Sequence, residues 1–187
     1  MSSTPAITNH AIRLIARPLG EPKRSDFSIA DEVLLPIQDG EMLVKVEYLS
    51  LDPAIRGWMK EGKSYIPPVG LHDVMSAGGI GKVIESKHLK FQVGDYVSGM
   101  VNVQTYCATD GKGFTKVDPS LAPLTTYLNV LGMPGMTAYW GLLDVGQPKS
   151  GETLVVSGAA GAVVPDACPG GGNWCSTSPQ WSSPSHS

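Results

Sequence analysis

Gly158, Ala159, Ala160, Gly161, Ala162 and Val163 form a run of small residues directly after the apolar stretch Leu154-Val155-Val156. An apolar run that feeds a tight glycine-alanine turn lets backbone N–H groups approach a pyrophosphate and points a helix N-terminus at its charge. The chemistry on offer is therefore dinucleotide binding. The arrangement is interrupted, however. Position 164, where a third small residue would let the new helix lie close to its strand, is Val164, and Pro165 follows. A residue before proline is pushed out of the helical region, so the sequence predicts a motif that opens and is not completed.

Metal chemistry has fewer candidates. A catalytic zinc takes three protein ligands and a structural one four, with Cys and His preferred. Between residues 40 and 160 the sequence offers only His72, His88 and Cys107, at no ligand spacing. No metal is expected; the two histidines read as loop surface and Cys107 as a small, partly buried side chain. Three cysteines at irregular spacing argue against a disulfide framework and for a reducing compartment, so the cytoplasm is the expected location. A net charge of −3 gives no basic footprint, and neither nucleic acid nor membrane is expected as a partner. The longest apolar run, around Leu154 to Val164, is broken by glycines and too short to span a bilayer.

The elements that must position such a turn come before it. Ile12, Leu14 and Ala16 alternate with Arg13 and Arg17 as a half-buried strand, and Phe27 to Val33 is a second one, ended by Pro36 and the Asp39-Gly40 turn. From Met42 to Leu49, Val44, Val46 and Tyr48 share one face while Lys45 and Glu47 share the other. Asp52 and Pro53 suit the cap and first position of a short helix running to Met59. Gly78 to Ser86 reads as a glycine-bent strand, and Gly94-Asp95 as the corner before another. Thr105 to Thr109 and Phe114 to Val117 flank Asp110-Gly111-Lys112-Gly113, which predicts a hairpin. Met136, Tyr139, Trp140 and Leu143 then fall at helical spacing, predicting a helix from about Gly135 to Val145 whose stripe is core. After Val163 more than half of the residues are Pro, Gly or Ser, and Asp166 is the one charged residue. Disorder is the expectation there, and a coding-frame or splicing change at about Val163 would account for the shift.

Three segments carry a resemblance: Tyr48-Leu49-Ser50-Leu51-Asp52-Pro53-Ala54-Ile55-Arg56-Gly57, Gly132-Met133-Pro134-Gly135-Met136-Thr137-Ala138-Tyr139, and Val155 to Val163. In this order they resemble the zinc-independent, NADPH-dependent medium-chain dehydrogenases/reductases. That group includes prostaglandin reductases, leukotriene hydroxydehydrogenases, plant double-bond reductases and curcumin reductases. The resemblance covers roughly residues 10 to 163. It implies a mostly β, GroES-like barrel domain over 1–130. Residues 131–163 would then hold a connecting helix and the first strand of a truncated α/β Rossmann domain, followed by an atypical tail over 164–187. Where zinc-dependent relatives place a cysteine and Gly-His-Glu, this sequence has Ser50-Leu51-Asp52 and Ala77-Gly78-Gly79.

The resemblance also implies a reaction: NADPH-dependent reduction of the C=C bond of α,β-unsaturated ketones and aldehydes. Gly158 to Val163 would face the cofactor pyrophosphate, Met133 and Thr137 would lie near the nicotinamide, and Pro53 would line the same cleft. Met100, Val101 and Asn102 match a loop that touches substrate. No catalytic residue is assigned, because the family's cleft tyrosine belongs to a second half with no counterpart here. No Lys or Arg follows Lys149 to clamp a 2′-phosphate, so a chain of this sequence is expected to be inactive alone. Two further readings stay open: a non-enzymatic GroES-like module that associates with a full-length reductase, and an enzyme whose remaining sheet comes from another chain. Homo- and hetero-oligomers are both compatible with the sequence.

Overall fold

The first strand is hydrogen-bonded along both of its edges. The computed structural model describes residues 7–62, 66–149 and 152–155, which fall into two compact units, Met1–Leu124 and Thr125–Ser187. In the first unit, β1 (Thr8–Leu14) buries Asn9, Ala11 and Leu14. It pairs antiparallel with β2 (Phe27–Val33), Ala11 lying opposite Ala30 and Leu14 opposite Phe27. Its other edge is occupied too: the Ile12 N–H donates to Val103 O at 2.9 Å and the Met75 N–H donates to Ile12 O at 2.8 Å.

The remaining strands form one antiparallel sheet: β3 (Met42–Leu49), β4 (Gly78–Ser86), β5 (Tyr96–Met100), β6 (Tyr106–Thr109) and β7 (Thr115–Val117). Their order is β6-β3-β4-β5-β7. Val44, Val83, Val97 and Cys107, one from each of four strands, meet on its inner face with Met42, Phe91 and Val101. Burying an aliphatic side chain of this size contributes about 1.5–3 kcal/mol each. A second cluster gathers Leu14, Trp58, Met59, Val69 and Met75.

The expected hairpin between residues 105 and 117 does not form. β6 pairs with β3, with Cys107 opposite Val44, and β7 pairs with β5, with Val117 opposite Tyr96. The two strands thus lie at opposite ends of the sheet order. The turn chemistry was read correctly, since Gly111 and Gly113 both have positive φ and the Phe114 N–H closes a turn on Gly111 O at 3.1 Å. Partner choice was decided by burial: pairing with β3 places Cys107 in the core. A link this short, folded into a turn, requires the sheet to curl so that its two edges approach, which is the rolled form of a small barrel.

The short helix also starts later than expected. α1 spans Ala54–Trp58, with Pro53 at the N-cap. Asp52 does not cap with its side chain; it accepts instead from the Ser50 hydroxyl at 3.1 Å. Trp58 anchors α1 in the second cluster. The Arg56 guanidinium ties α1 to the preceding turn by donating to Gly20 O at 2.5 Å and Pro18 O at 3.2 Å.

In the second unit a 3-10 turn (Leu124–Leu128) leads into α2 (Met133–Trp140), which continues as a π-helical turn over Gly141–Gly146. The helix expected from about Gly135 to Val145 is thus present, its last turn widened to π geometry and ended at Gln147, which adopts a left-handed conformation (φ 46°) and bonds Leu142 O through its N–H at 2.9 Å. Gly132 and Gly135 are needed for close approach: a Cβ on either would strike the carbonyl of Tyr127 or Val130. The stripe expected to be core is open. Met136, Tyr139 and Trp140 are each more than half exposed, and a helix face is buried only where another layer covers it. The small-residue turn Gly158 to Val163 and the segment 164–187 lie outside the described residues.

Candidate cofactor and substrate site

Two of the segments singled out in the sequence meet at one end of the five-stranded sheet. The first residues of β4 bring them together. On one side, the Ser50 N–H donates to Gly78 O at 2.9 Å, extending the pairing of Leu49 with Gly79 and placing Ser50, Asp52 and Pro53 beside the start of β4. On the other side, Gly78 pairs with Met100 at the end of β5, and the Asn102 N–H donates to Ala77 O at 2.9 Å. Pro53 and the loop Met100-Val101-Asn102 thus follow β3 and β5, the two strands that flank β4. Close packing of these strands depends on Gly79, whose Cβ would meet the Tyr48 carbonyl and come within 2.5 Å of Val101 Cγ2.

The three loop residues have different surroundings. Met100 is 41% exposed, whereas Val101 is fully buried among the core valines and faces away from solvent. Asn102 is half-buried in the left-handed region (φ 61°), a conformation that asparagine tolerates better than most residues. Its side-chain amide makes no hydrogen bond among the described residues, which leaves a donor and an acceptor available at the end of the sheet.

Behind this loop lies a relay that sequence reading missed. Gln104 Nε2 donates to Val101 O at 2.9 Å, and Asn9 on β1 donates to Gln104 Oε1 at 3.0 Å. Nothing local marks Asn9 or Gln104, because the partners stand far apart in the chain and each looks like an ordinary polar strand residue.

Within the second unit, Met133 and Thr137 stand one helical turn apart on α2 and are both exposed. The Thr137 hydroxyl donates to Met133 O at 2.8 Å. Its hydrogen is therefore committed, and its lone pairs remain free to accept from an incoming N–H group. The six small residues from Gly158 to Val163 fall outside the described region.

Cys107 is more deeply placed than the sequence suggested. It is 4% exposed, and burial pushes its thiol up to about 11, the hydrogen bond with Gln104 acting in the opposite direction. The thiolate that nucleophilic or metal chemistry requires is thereby disfavoured. His72 is exposed, while His88 is half-buried with its ring 4.9 Å from that of Phe91. Among the described residues, no three His, Cys, Asp or Glu side chains are grouped as a metal ion would need. None of the described helices is long and apolar enough to cross a membrane.

A family pattern described as the N-terminal domain of oxidoreductase matches residues 10–117, more than half of the chain. The chain belongs to the zinc-independent medium-chain dehydrogenase/reductase family. It is 43% identical over 150 residues to the NADPH-dependent curcumin reductase of Escherichia coli, covering 80% of this chain and 44% of that protein. It is 39% identical over 163 residues to the NADP(+)-dependent 2-alkenal reductase of Nicotiana tabacum, covering 84% and 47%. The crystal structure of CurA from Vibrio vulnificus in complex with NADPH superposes with a TM-score of 0.77 at 42% identity, over 84% of this chain and 47% of that one. This medium-chain reductase sequence thus spans about half the length of the curated relatives it matches, and its β domain has the GroES-like fold of the family.

Proposed function

We propose that residues 10–163 are the amino-terminal part of an NADPH-dependent reductase that saturates the C=C bond of α,β-unsaturated ketones and aldehydes. One observation supports this most: β4 carries the Pro53 segment along one edge and the Met100–Asn102 loop along the other, with apolar Met100 and an Asn102 amide that has no partner among the described residues at the same sheet end. An enone needs both an apolar surface for its carbon skeleton and a hydrogen-bond donor where charge develops on its oxygen. In this reading the Asn102 amide polarises the carbonyl, and Pro53 and Met100 bear on the carbon skeleton.

Two groups would meet the cofactor, although no Lys or Arg follows Lys149 to clamp its 2′-phosphate. The Thr137 hydroxyl, with its proton directed at Met133 O, would accept from the carboxamide of a nicotinamide. The backbone N–H groups of Gly158 to Val163 would hold the pyrophosphate. Bound NADPH supplies the hydride. The same reading carries the expectation that a chain of these 187 residues does not turn over alone, because Val164-Pro165 stand where the phosphate-binding helix should begin.

The test is a chimera in which residues 10–163 replace the matching part of the Escherichia coli curcumin reductase. NADPH consumption dependent on an added enone supports the proposal, with the 187-residue chain silent in the same assay. A folded chimera without turnover overturns it. Exposed Met136, Tyr139 and Trp140 on α2 favour a second reading, a non-enzymatic module that associates with a full-length reductase. A mixed oligomer in native mass spectrometry supports that reading, and a strictly monomeric chain removes it.

A further inference from the structure

Gly78 is a glycine that the described fold does not require. Its backbone is extended and not in the left-handed region, and a Cβ built on it would meet nothing within 4 Å. Gly79 beside it is the opposite case, closed in by Tyr48 O and Val101. The pairing explains the contrast. Residues opposite each other in an antiparallel sheet, and alternate residues along a strand, point to one face. Gly78 opposite Met100, and Ile80 opposite Tyr48, therefore share a face, while Leu49, Gly79 and Gly99 share the other. The second face carries the valine cluster, where Leu49 packs; on the first, Ile80 is fully buried as well, and the open stretch is confined to the surroundings of Gly78. On the first, the bare Cα of Gly78 lies between Ser50 and Met100, with Tyr48 and Met100 each about two-fifths exposed around it. A strand glycine that is free of steric and torsional need forgoes the ordering advantage of a larger residue.

We propose that Gly78 is a specificity-determining residue: its missing side chain leaves room for the substituent that an enone carries on its β-carbon. This inference rests on the enone-reductase reading. On that reading, the substrate's skeleton lies across the strand backbone between Ser50 and Met100, so a methyl group at position 78 excludes bulk at the β-carbon and leaves a small β-substituent unaffected.

The experiment uses the uniformly 15N-labelled 187-residue chain, titrated with benzylideneacetone and with ethylideneacetone, two enones that differ only in a phenyl or a methyl on the β-carbon. Saturable amide shifts at Gly78, Ser50 and Met100 report binding, and a thermal melt reports folding. Expected for Gly78→Ala is a melting temperature at or above that of the wild type, with affinity for benzylideneacetone weakened about tenfold and that for ethylideneacetone changed less than about twofold. Gly78→Val extends the trend by abolishing the benzylideneacetone shifts. Equal loss for both probes, or no change for either, overturns the role of Gly78 while leaving the enone site standing. Absence of shifts at these amides in the wild type with either probe overturns this inference, while the reductase reading is decided by turnover of the chimera.

Discussion

The side-chain amide of Asn9 donates to Gln104 Oε1 at 3.0 Å although the two residues are 95 positions apart in the chain. Asn9 Oδ1 accepts in turn from the Tyr106 N–H at 2.9 Å and from the Thr105 hydroxyl at 3.1 Å. At 4% exposure Asn9 has no water to replace these partners. β1 is thereby locked to the segment that carries the Met100–Asn102 loop.

Asn9→Leu is expected to destabilise the β domain by about 3 kcal/mol, because a leucine of similar size strands the Tyr106 N–H and the Gln104 carbonyl oxygen together. Equilibrium urea unfolding measures it, the shift appearing in the midpoint with the slope unchanged. A loss below ~1 kcal/mol would show that these groups find other partners.

Gly79→Ala should be worse than its size suggests. The added methyl meets a backbone carbonyl on β3 as well as the Val101 side chain, and backbone cannot rotate aside. Overpacking of this kind costs about 3 kcal/mol, and it pries Val101 from the core. The expected outcome is a large fall in melting temperature accompanied by altered amide shifts along Tyr48–Ser50. A melt that matches the wild type would mean that β3 and β4 separate freely.

Much of the fold could be read from local pattern. Residues 27–33, 42–49 and 78–86 were predicted as strands and are observed with those bounds, because apolar alternation and the turn residues Gly40 and Gly94, both at positive φ, act over a few positions. Pairing was not readable in this way. The Asp110–Gly113 turn looks alike whether its flanking strands pair with each other or with β3 and β5, and only the burial of Cys107 decides. The site shows the same division. Pro53 and Met100, Val101 and Asn102 are candidates on motif resemblance alone, while Gln104 and Asn9 meet through a contact that no short window contains.

Asp95 makes the corner before β5 dependent on acid. Its carboxylate accepts from the Gln92 N–H at 2.8 Å and from Lys116 Nζ at 2.6 Å. The Gln92 N–H first, and Lys116 second, hold its pKa below 3.8. A lowered folded pKa means stability that is present above the unfolded value and lost as pH falls through the folded one. Wild type should exceed Asp95→Asn by about 1 kcal/mol at pH 7. That margin should shrink as pH drops below 3.8 and disappear once the folded carboxyl is protonated. Urea midpoints of the two proteins across an acid series test this, and a margin that does not depend on pH would assign the effect to packing.

Cys107 predicts a mirror-image dependence in alkali. Burial raises its thiol from 9.0 to about 11, so between those values the unfolded chain has lost the proton that the folded chain keeps. The unfolded state then binds fewer protons, and stability must fall as pH rises, at up to about 1.4 kcal/mol per pH unit from this one group. Below pH 9 the contribution is constant. Cys107→Val fills nearly the same core volume without a titrating group, so the wild-type minus variant difference isolates the thiol from the lysines and tyrosines that titrate nearby in pH. A difference that declines through this window is expected. The folded protein should also leave Cys107 unalkylated by iodoacetamide at pH 8, as read by peptide mass spectrometry. Rapid modification of Cys107 under native conditions, together with a flat difference curve, would show that the β3–β6 pairing opens to solvent far more easily than a core strand should.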